Sequence, residues 1–100
     1  MSRPSRNSEE QPLKQAIEAF LKTYHLEDKL SETKLLHSWD KVVGSMIARH
    51  TQRIYIRNKK LFVKLDSDAL RNELFYMREK IILSLNKDAG RFVIEEIVLQ

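Results

Sequence analysis

The 100-residue sequence has no cysteine, two glycines, two prolines and a single tryptophan. Without cysteine there is no disulfide, no thiolate metal site and no cysteine nucleophile, which fits a reducing compartment. Two glycines are too few for a glycine-rich phosphate loop, and Gly44 and Gly90 are too far apart for a GxxG clamp on a nucleic-acid backbone. No apolar run approaches the ~18 residues that cross a bilayer, and the first residues lack the apolar core of a signal peptide. The expected location is the cytoplasm, with no membrane partner. His25, His37 and His50 lack the spacing of a metal motif. Glu95 and Glu96 are neighbours on an expected strand and point to opposite faces, so they form no simple carboxylate pair. Asp66 and Asp68 read as helix-start residues. The expectation is a protein that is not an enzyme and that uses no cofactor and no metal.

What is present is a local excess of positive charge. The chain has 18 basic and 14 acidic residues, a net charge of +4. Six of the basic residues (Arg49, Arg53, Arg57, Lys59, Lys60 and Lys64) fall in one stretch that holds no Asp or Glu. The rest of the chain carries 12 basic against 14 acidic residues. A field concentrated in this way is one that a polyanion feels.

The same stretch reads as a β-hairpin. Ile54 and Ile56 alternate with Arg53, Tyr55 and Arg57, and Leu61, Val63 and Leu65 alternate with Phe62 and Lys64. A turn at Asn58-Lys59 pairs Arg57 with Lys60, Tyr55 with Phe62 and Arg53 with Lys64 on one face. It pairs Ile56 with Leu61 and Ile54 with Val63 on the other. One face is then apolar, and the other sets two aromatics among four cations. Cations hold phosphates and aromatic rings offer stacking surfaces to unpaired bases. A solvated strand face, with Arg and Lys stems lying over Tyr55 and Phe62, is the alternative.

Around the hairpin the chain forms one domain over residues 12–100, preceded by a polar, flexible tail at 1–11. Pro12 suits the first turn of a helix over 12–24, whose stripe is Leu13, Ile17, Phe20, Leu21 and Tyr24. A second helix spans 32–49 with Leu35, Leu36, Trp39, Val42, Val43, Met46 and Ile47 on its buried face, Trp39 acting as a core anchor. Gly44 inside it suggests close approach of another backbone. A third helix spans 68–86, with Leu70, Leu74, Met77, Ile81 and Leu85 buried, Phe75 and Ile82 beside them, and Arg71, Arg78 and Lys80 on the exposed side. The last strand covers 92–99; its parity is open, since Val93, Ile97 and Leu99 share a face with Glu95, and Phe92, Ile94 and Val98 share one with Glu96. The expected fold is α+β, in the order α-α-β-β-α-β, with helices packed on one face of a small three-stranded sheet. The last strand is expected to lie parallel to the second strand of the hairpin.

The ordered series Trp39-Asp40-Lys41-Val42-Val43-Gly44, Ala48-Arg49-His50-Thr51, Leu61-Phe62-Val63, Glu73-Leu74, Leu85-Asn86 and Ile97-Val98-Leu99 resembles the DciA-like family over about Leu30 to Leu99. The resemblance implies a KH-like αββαβ domain without a working GxxG loop. It also implies DNA binding and assistance to a replicative helicase of the DnaB type. It supplies no catalytic residue. Several family members carry a long basic extension beyond this domain, whereas this sequence ends at Gln100, which makes the hairpin face the main candidate surface. The expected nucleic-acid-binding residues are Arg49, Arg53, Tyr55, Arg57, Lys59, Lys60, Phe62 and Lys64, acting on single- or double-stranded DNA, with RNA as a further ligand. A protein-interaction adaptor, its basic face docked on an acidic partner, is the competing expectation, and a homodimer through the edge strand is another.

Overall fold

The computed structural model describes residues 6–100, with side chains from Gln11 onward; the first five residues of the expected tail lie outside the described residues. The described residues form α1 (Arg6–Thr23), α2 (Glu27–His37), α3 (Trp39–Val43), α4 (Ser45–Arg49), β1 (Thr51–Arg57), β2 (Lys60–Leu65), α5 (Asp68–Tyr76), α6 (Arg78–Ala89) and β3 (Glu96–Leu99). With α2–α4 and α5–α6 each taken as one broken helical segment, the order is α-α-β-β-α-β and the class is α+β.

The strands lie in the order β1-β2-β3. β1 and β2 are antiparallel and pair Arg53 with Lys64, Ile54 with Val63, Tyr55 with Phe62, Ile56 with Leu61 and Arg57 with Lys60, the register read from the sequence. Asn58 (φ 51°) and Lys59 (φ 60°) occupy the two left-handed positions of a type I′ turn, whose twist matches that of the strands. β3 runs parallel to β2 and directly beside it. The inner face of β2 (Leu61, Val63 and Leu65) is closed by Leu35, Trp39 and Ile47 from α2–α4 and by Leu74, Ile81 and Leu85 from α5–α6.

The second helix is not continuous. It starts at Glu27, breaks after His37, and breaks again at Gly44, whose φ of 90° and ψ of 164° lie outside the helical region. Nothing lies within 4 Å of the place a Cβ would take at Gly44, so the glycine serves this backbone angle and not a close approach. The corner lets Trp39 and Ile47 both reach the core. There the Trp39 Nε1–H donates to Thr51 Oγ1 at 3.0 Å, and the Thr51 hydroxyl donates to the Ile47 carbonyl at 2.8 Å.

The third helix breaks at Met77 (φ −103°, ψ 4°) and runs on to Ala89, while the Ser67 hydroxyl caps its start by accepting from the Leu70 N–H at 3.3 Å. Two side chains depart from expectation. Phe75 is about half exposed, with the Arg78 guanidinium 3.9 Å from its ring centre. Arg71 is drawn inward: it donates to the Leu65 carbonyl at 3.0 Å and to the Gln100 carbonyl at 3.2 Å, and it pairs with Asp68. It thereby ties the start of α5 to the chain leaving β2 and β3.

The last strand is shorter than expected, because residues 92–95 are irregular. Val93 and Ile94 are both buried, which no two successive strand residues over a single core can be. The Asn86 side chain replaces the missing ladder. Its Oδ1 accepts from the Val93 and Ile94 N–H groups at 2.9 and 3.0 Å, and its Nδ2 donates to the Ile94 carbonyl at 2.9 Å.

α1 departs furthest. It begins at Arg6 and passes through Pro12, because Glu9, Glu10 and Gln11 are good helix formers and outweigh the one hydrogen bond that proline removes. It also packs substantially against no other element. Leu13, Ile17, Phe20 and Tyr24, of the stripe read for the first helix, are 64%, 50%, 55% and 61% exposed. The chain turns away at His25 (φ 56°), and the molecule is drawn out to 60 × 33 × 21 Å.

Two stability outcomes follow from this packing. Asn86→Ala strands two buried N–H groups and a carbonyl, and should cost on the order of 3 kcal/mol in urea unfolding followed by Trp39 fluorescence. Lys59→Gly relieves a side chain held at positive φ, and should raise stability in the same assay by about 0.5–1 kcal/mol.

Candidate nucleic-acid interface

The helices cover one face of the sheet and leave the other bare. Strand pairing arranges the bare face in rows. Arg57, Lys60 and Glu96 form one row, Tyr55, Phe62 and Val98 the next, and Arg53 and Lys64 a third. The centre is an apolar ridge running across the sheet, with a row holding cations on each side of it.

The Tyr55 and Phe62 rings stack on each other, with centroids 4.8 Å apart and planes 6° from parallel. That separation equals the spacing between neighbouring strands, so the rings stand up from the sheet side by side. Each ring therefore gives one face to the other. Arg53 holds its guanidinium carbon 4.9 Å from the centre of the Tyr55 ring.

The cations of the face are not equivalent. Arg53, Arg57 and Lys64 are exposed and make no ion pair with any described residue. Lys60 reaches Glu96 at 3.7 Å, with both groups about half exposed. Such a pair contributes less than about 1 kcal/mol, yet it lowers the net charge of its row. Glu96 and Val98 were not among the expected site residues. The signal for them was the parity of the last strand, which settles once β3 is known to run parallel beside β2.

The other two expected residues lie apart from these rows. Lys59, at the hairpin tip, directs its amine to the Phe92 ring, 5.5 Å from the centroid, while its carbonyl accepts from the Glu95 N–H at 2.8 Å. It lines a cavity of about 280 Å³ with Asp28, Ser31, Glu32, Arg91, Phe92 and Val93. Arg91 is engaged there with Asp28 at 3.2 Å and with Glu27 at 4.0 Å, which makes that region a balanced mixture of charges. Arg49 ends α4, exposed, two residues before β1 opens. His50 next to it binds Asp66, Nδ1 to Oδ1 at 2.7 Å, and its carbonyl accepts from the Asp66 N–H at 3.1 Å, closing the base of the hairpin. Among the described residues no group of three or more His, Asp or Glu side chains is placed to hold a metal ion, and no helix is long and apolar enough to cross a membrane.

Fold and surface together define a small two-layer α+β domain whose mixed sheet is helix-covered on one side and bare and basic on the other. Within that class the chain belongs to the DciA family: the family model described as "Dna[CI] antecedent, DciA" matches residues 12–99. A UPF0232 protein of Corynebacterium glutamicum (strain R) is 35% identical over 60 residues, which make up 60% of this chain and 34% of that protein. The chain therefore aligns with about a third of the length of that curated relative. The residues that carried the resemblance are largely those holding the fold: Trp39 and Thr51 in one hydrogen-bond chain, Gly44 at the helix corner, Leu61 and Val63 in the core, and Asn86 under the last strand.

Glu96 is the one carboxylate in the three rows. Glu96→Gln should tighten binding of an anionic polymer about two- to fivefold at low salt, the equivalent of roughly 0.5–1 kcal/mol, as read by fluorescence anisotropy.

Proposed function

We propose that the bare sheet face binds the backbone of nucleic acid, and that the protein acts by binding, without catalysis, as a cytoplasmic accessory to loading or operation of a replicative helicase of the DnaB type. The observation that carries the first part is the set of three exposed cations (Arg53, Arg57 and Lys64) without an acidic partner among the described residues, set around the ridge of Tyr55, Phe62 and Val98. The DciA family match supports the link to helicase loading. Arg53 and Lys64 flank the ridge on one side and Arg57 on the other, so that a strand crossing the ridge would meet cations before and after it. Lys60 joins them when it leaves Glu96. Lys59 and Arg49 extend the charge beyond the rows. Phosphate contacts carry little sequence information, so binding is sequence-tolerant and single- or double-stranded DNA and RNA all compete.

The mutual stacking of Tyr55 and Phe62 favours a second reading for the ridge. With one face of each ring on the other and Arg53 over Tyr55, the pair presents mainly its edges, a surface suited to anchoring a protein as well as a base. In this adaptor reading the face docks on an acidic partner, and its complex with a helicase survives nuclease treatment.

Arg53→Glu with Arg57→Glu reverses two of the free charges without touching the core. Single-stranded DNA binding should fall at least tenfold while Trp39 emission stays unchanged. With three phosphates engaged, the parent should show a slope of about −2 in log K against log salt concentration. Parental affinity in the double variant would place the interface elsewhere.

A further inference from the structure

We propose that the open edge of β1 receives an extended acidic segment of a partner protein as a fourth, antiparallel strand. The proposal names the partner chemistry for the protein-docking reading of the sheet face and rests on that reading, not on nucleic-acid binding.

β1 ends the sheet, with β2 on one side and no strand on the other. Backbone alternation decides which of its residues face outward. The Val63 carbonyl accepts from the Gln100 N–H at 2.8 Å, and the Leu65 N–H donates to the Gln100 carbonyl at 3.3 Å. Val63 and Leu65 therefore turn their backbone groups toward the β3 side, and Phe62 and Lys64 turn theirs toward β1. The bonded residues of β1 are then their partners Tyr55 and Arg53, together with Arg57 beside the two-residue turn. Ile54 and Ile56 are left with N–H and C=O directed away from the sheet. No turn, loop or side chain among the described residues bonds to these groups. Alternating donors and acceptors at strand spacing are what an extended polypeptide matches. A DNA backbone, which offers acceptors and no donors, does not match them.

The side chains specify which polypeptide. In an added antiparallel strand, each residue lies directly opposite one of β1 and points to the same face. On the bare face the opposed positions are Arg53, Tyr55 and Arg57. Both arginines are exposed and make no ion pair with any described residue, so acidic side chains suit the two outer positions and an aromatic one the middle. On the inner face Ile54 and Ile56 are only partly buried, and two apolar side chains opposite them complete their cover. The segment is thus acidic, apolar, aromatic, apolar, acidic. A second copy of β1 is a poor occupant: in the register centred on Tyr55 it would set Arg53 against Arg57, like charges at opposed positions. The arginines guard the edge against self-pairing and admit an acidic strand. β3, the other edge, has only four residues, and Ile97 in it is almost wholly buried.

The probe is a fluorescein-labelled peptide, Ser-Glu-Val-Phe-Val-Glu-Ser, titrated with the whole chain in fluorescence anisotropy. It should bind. N-methylation of both Val residues removes the two N–H groups that bond to Ile54 and Ile56, and should weaken binding at least about tenfold. N-methylation of the Phe, whose N–H points away from β1, should change it about threefold or less. A peptide with Lys for both Glu should not bind the parent and should bind Arg53→Glu with Arg57→Glu. Amide hydrogen exchange at Ile54 and Ile56 should slow in the complex. Equal effects of the two methylations overturn the edge proposal and leave docking on the face intact. An acidic peptide that fails to bind, or unchanged exchange at Ile54 and Ile56, overturns it as well. A helicase complex that survives nuclease treatment while the peptide fails would keep the docking reading and reject the edge.

Discussion

β2 is the middle strand, and its strict alternation decides both faces of the sheet. Leu61, Val63 and Leu65 are almost wholly buried, which leaves Lys60, Phe62 and Lys64 no direction but outward. A slip of one residue would drive two lysines into the core and expose three of its best-packed side chains, so the register admits no alternative. The type I′ turn at Asn58 and Lys59 fixes the antiparallel neighbour, and the return through α5 and α6 places the parallel one. The bare basic face is thus a consequence of the core and needs no separate element to build it. Substitutions there change the surface while the fold is held from the other side.

The hairpin was legible in the sequence because a period of two on both strands and a turn residue tolerant of positive φ all point to one register. The helical segments were legible in kind and less so in extent. Trp39 and Ile47 share a helical stripe, but a single glycine angle turns that stripe through a corner, and periodicity does not register a backbone angle. The last strand was over-extended because Phe92 to Glu95 is as apolar as a strand, whereas Asn86 supplies from a helix the bonds a strand would have made. α1 misled most. An amphipathic stripe announces that a face will be covered and does not say by which molecule. Within the candidate site, the six outward hairpin residues were brought together as expected, whereas Lys59 turns to Phe92 and Glu96 enters one row. Both outcomes depend on the position of β3, which the alternation of the hairpin alone does not contain.

The two surfaces of interest stand apart. The sheet face is charged and held from behind by the core. The stripe of α1 is apolar and attached through a short turn at His25 and Leu26. In the proposed reading the sheet face would meet a polyanion through charge, while what covers the stripe of α1 is a separate question. Membership in the DciA family is compatible with that reading, and the residues shared with the family pattern mostly maintain the platform on which the face is displayed.

The most direct test of the central claim is a titration of the ¹⁵N-labelled protein with a short single-stranded oligodeoxynucleotide, followed residue by residue in amide correlation spectra. The account predicts shifts concentrated at Arg53, Tyr55, Arg57, Phe62, Lys64 and Val98, fading as salt is raised, with Leu74 and Leu85 in the core unmoved. Shifts confined to α1 or to Phe75 and Tyr76, with β1 and β2 silent, would contradict it.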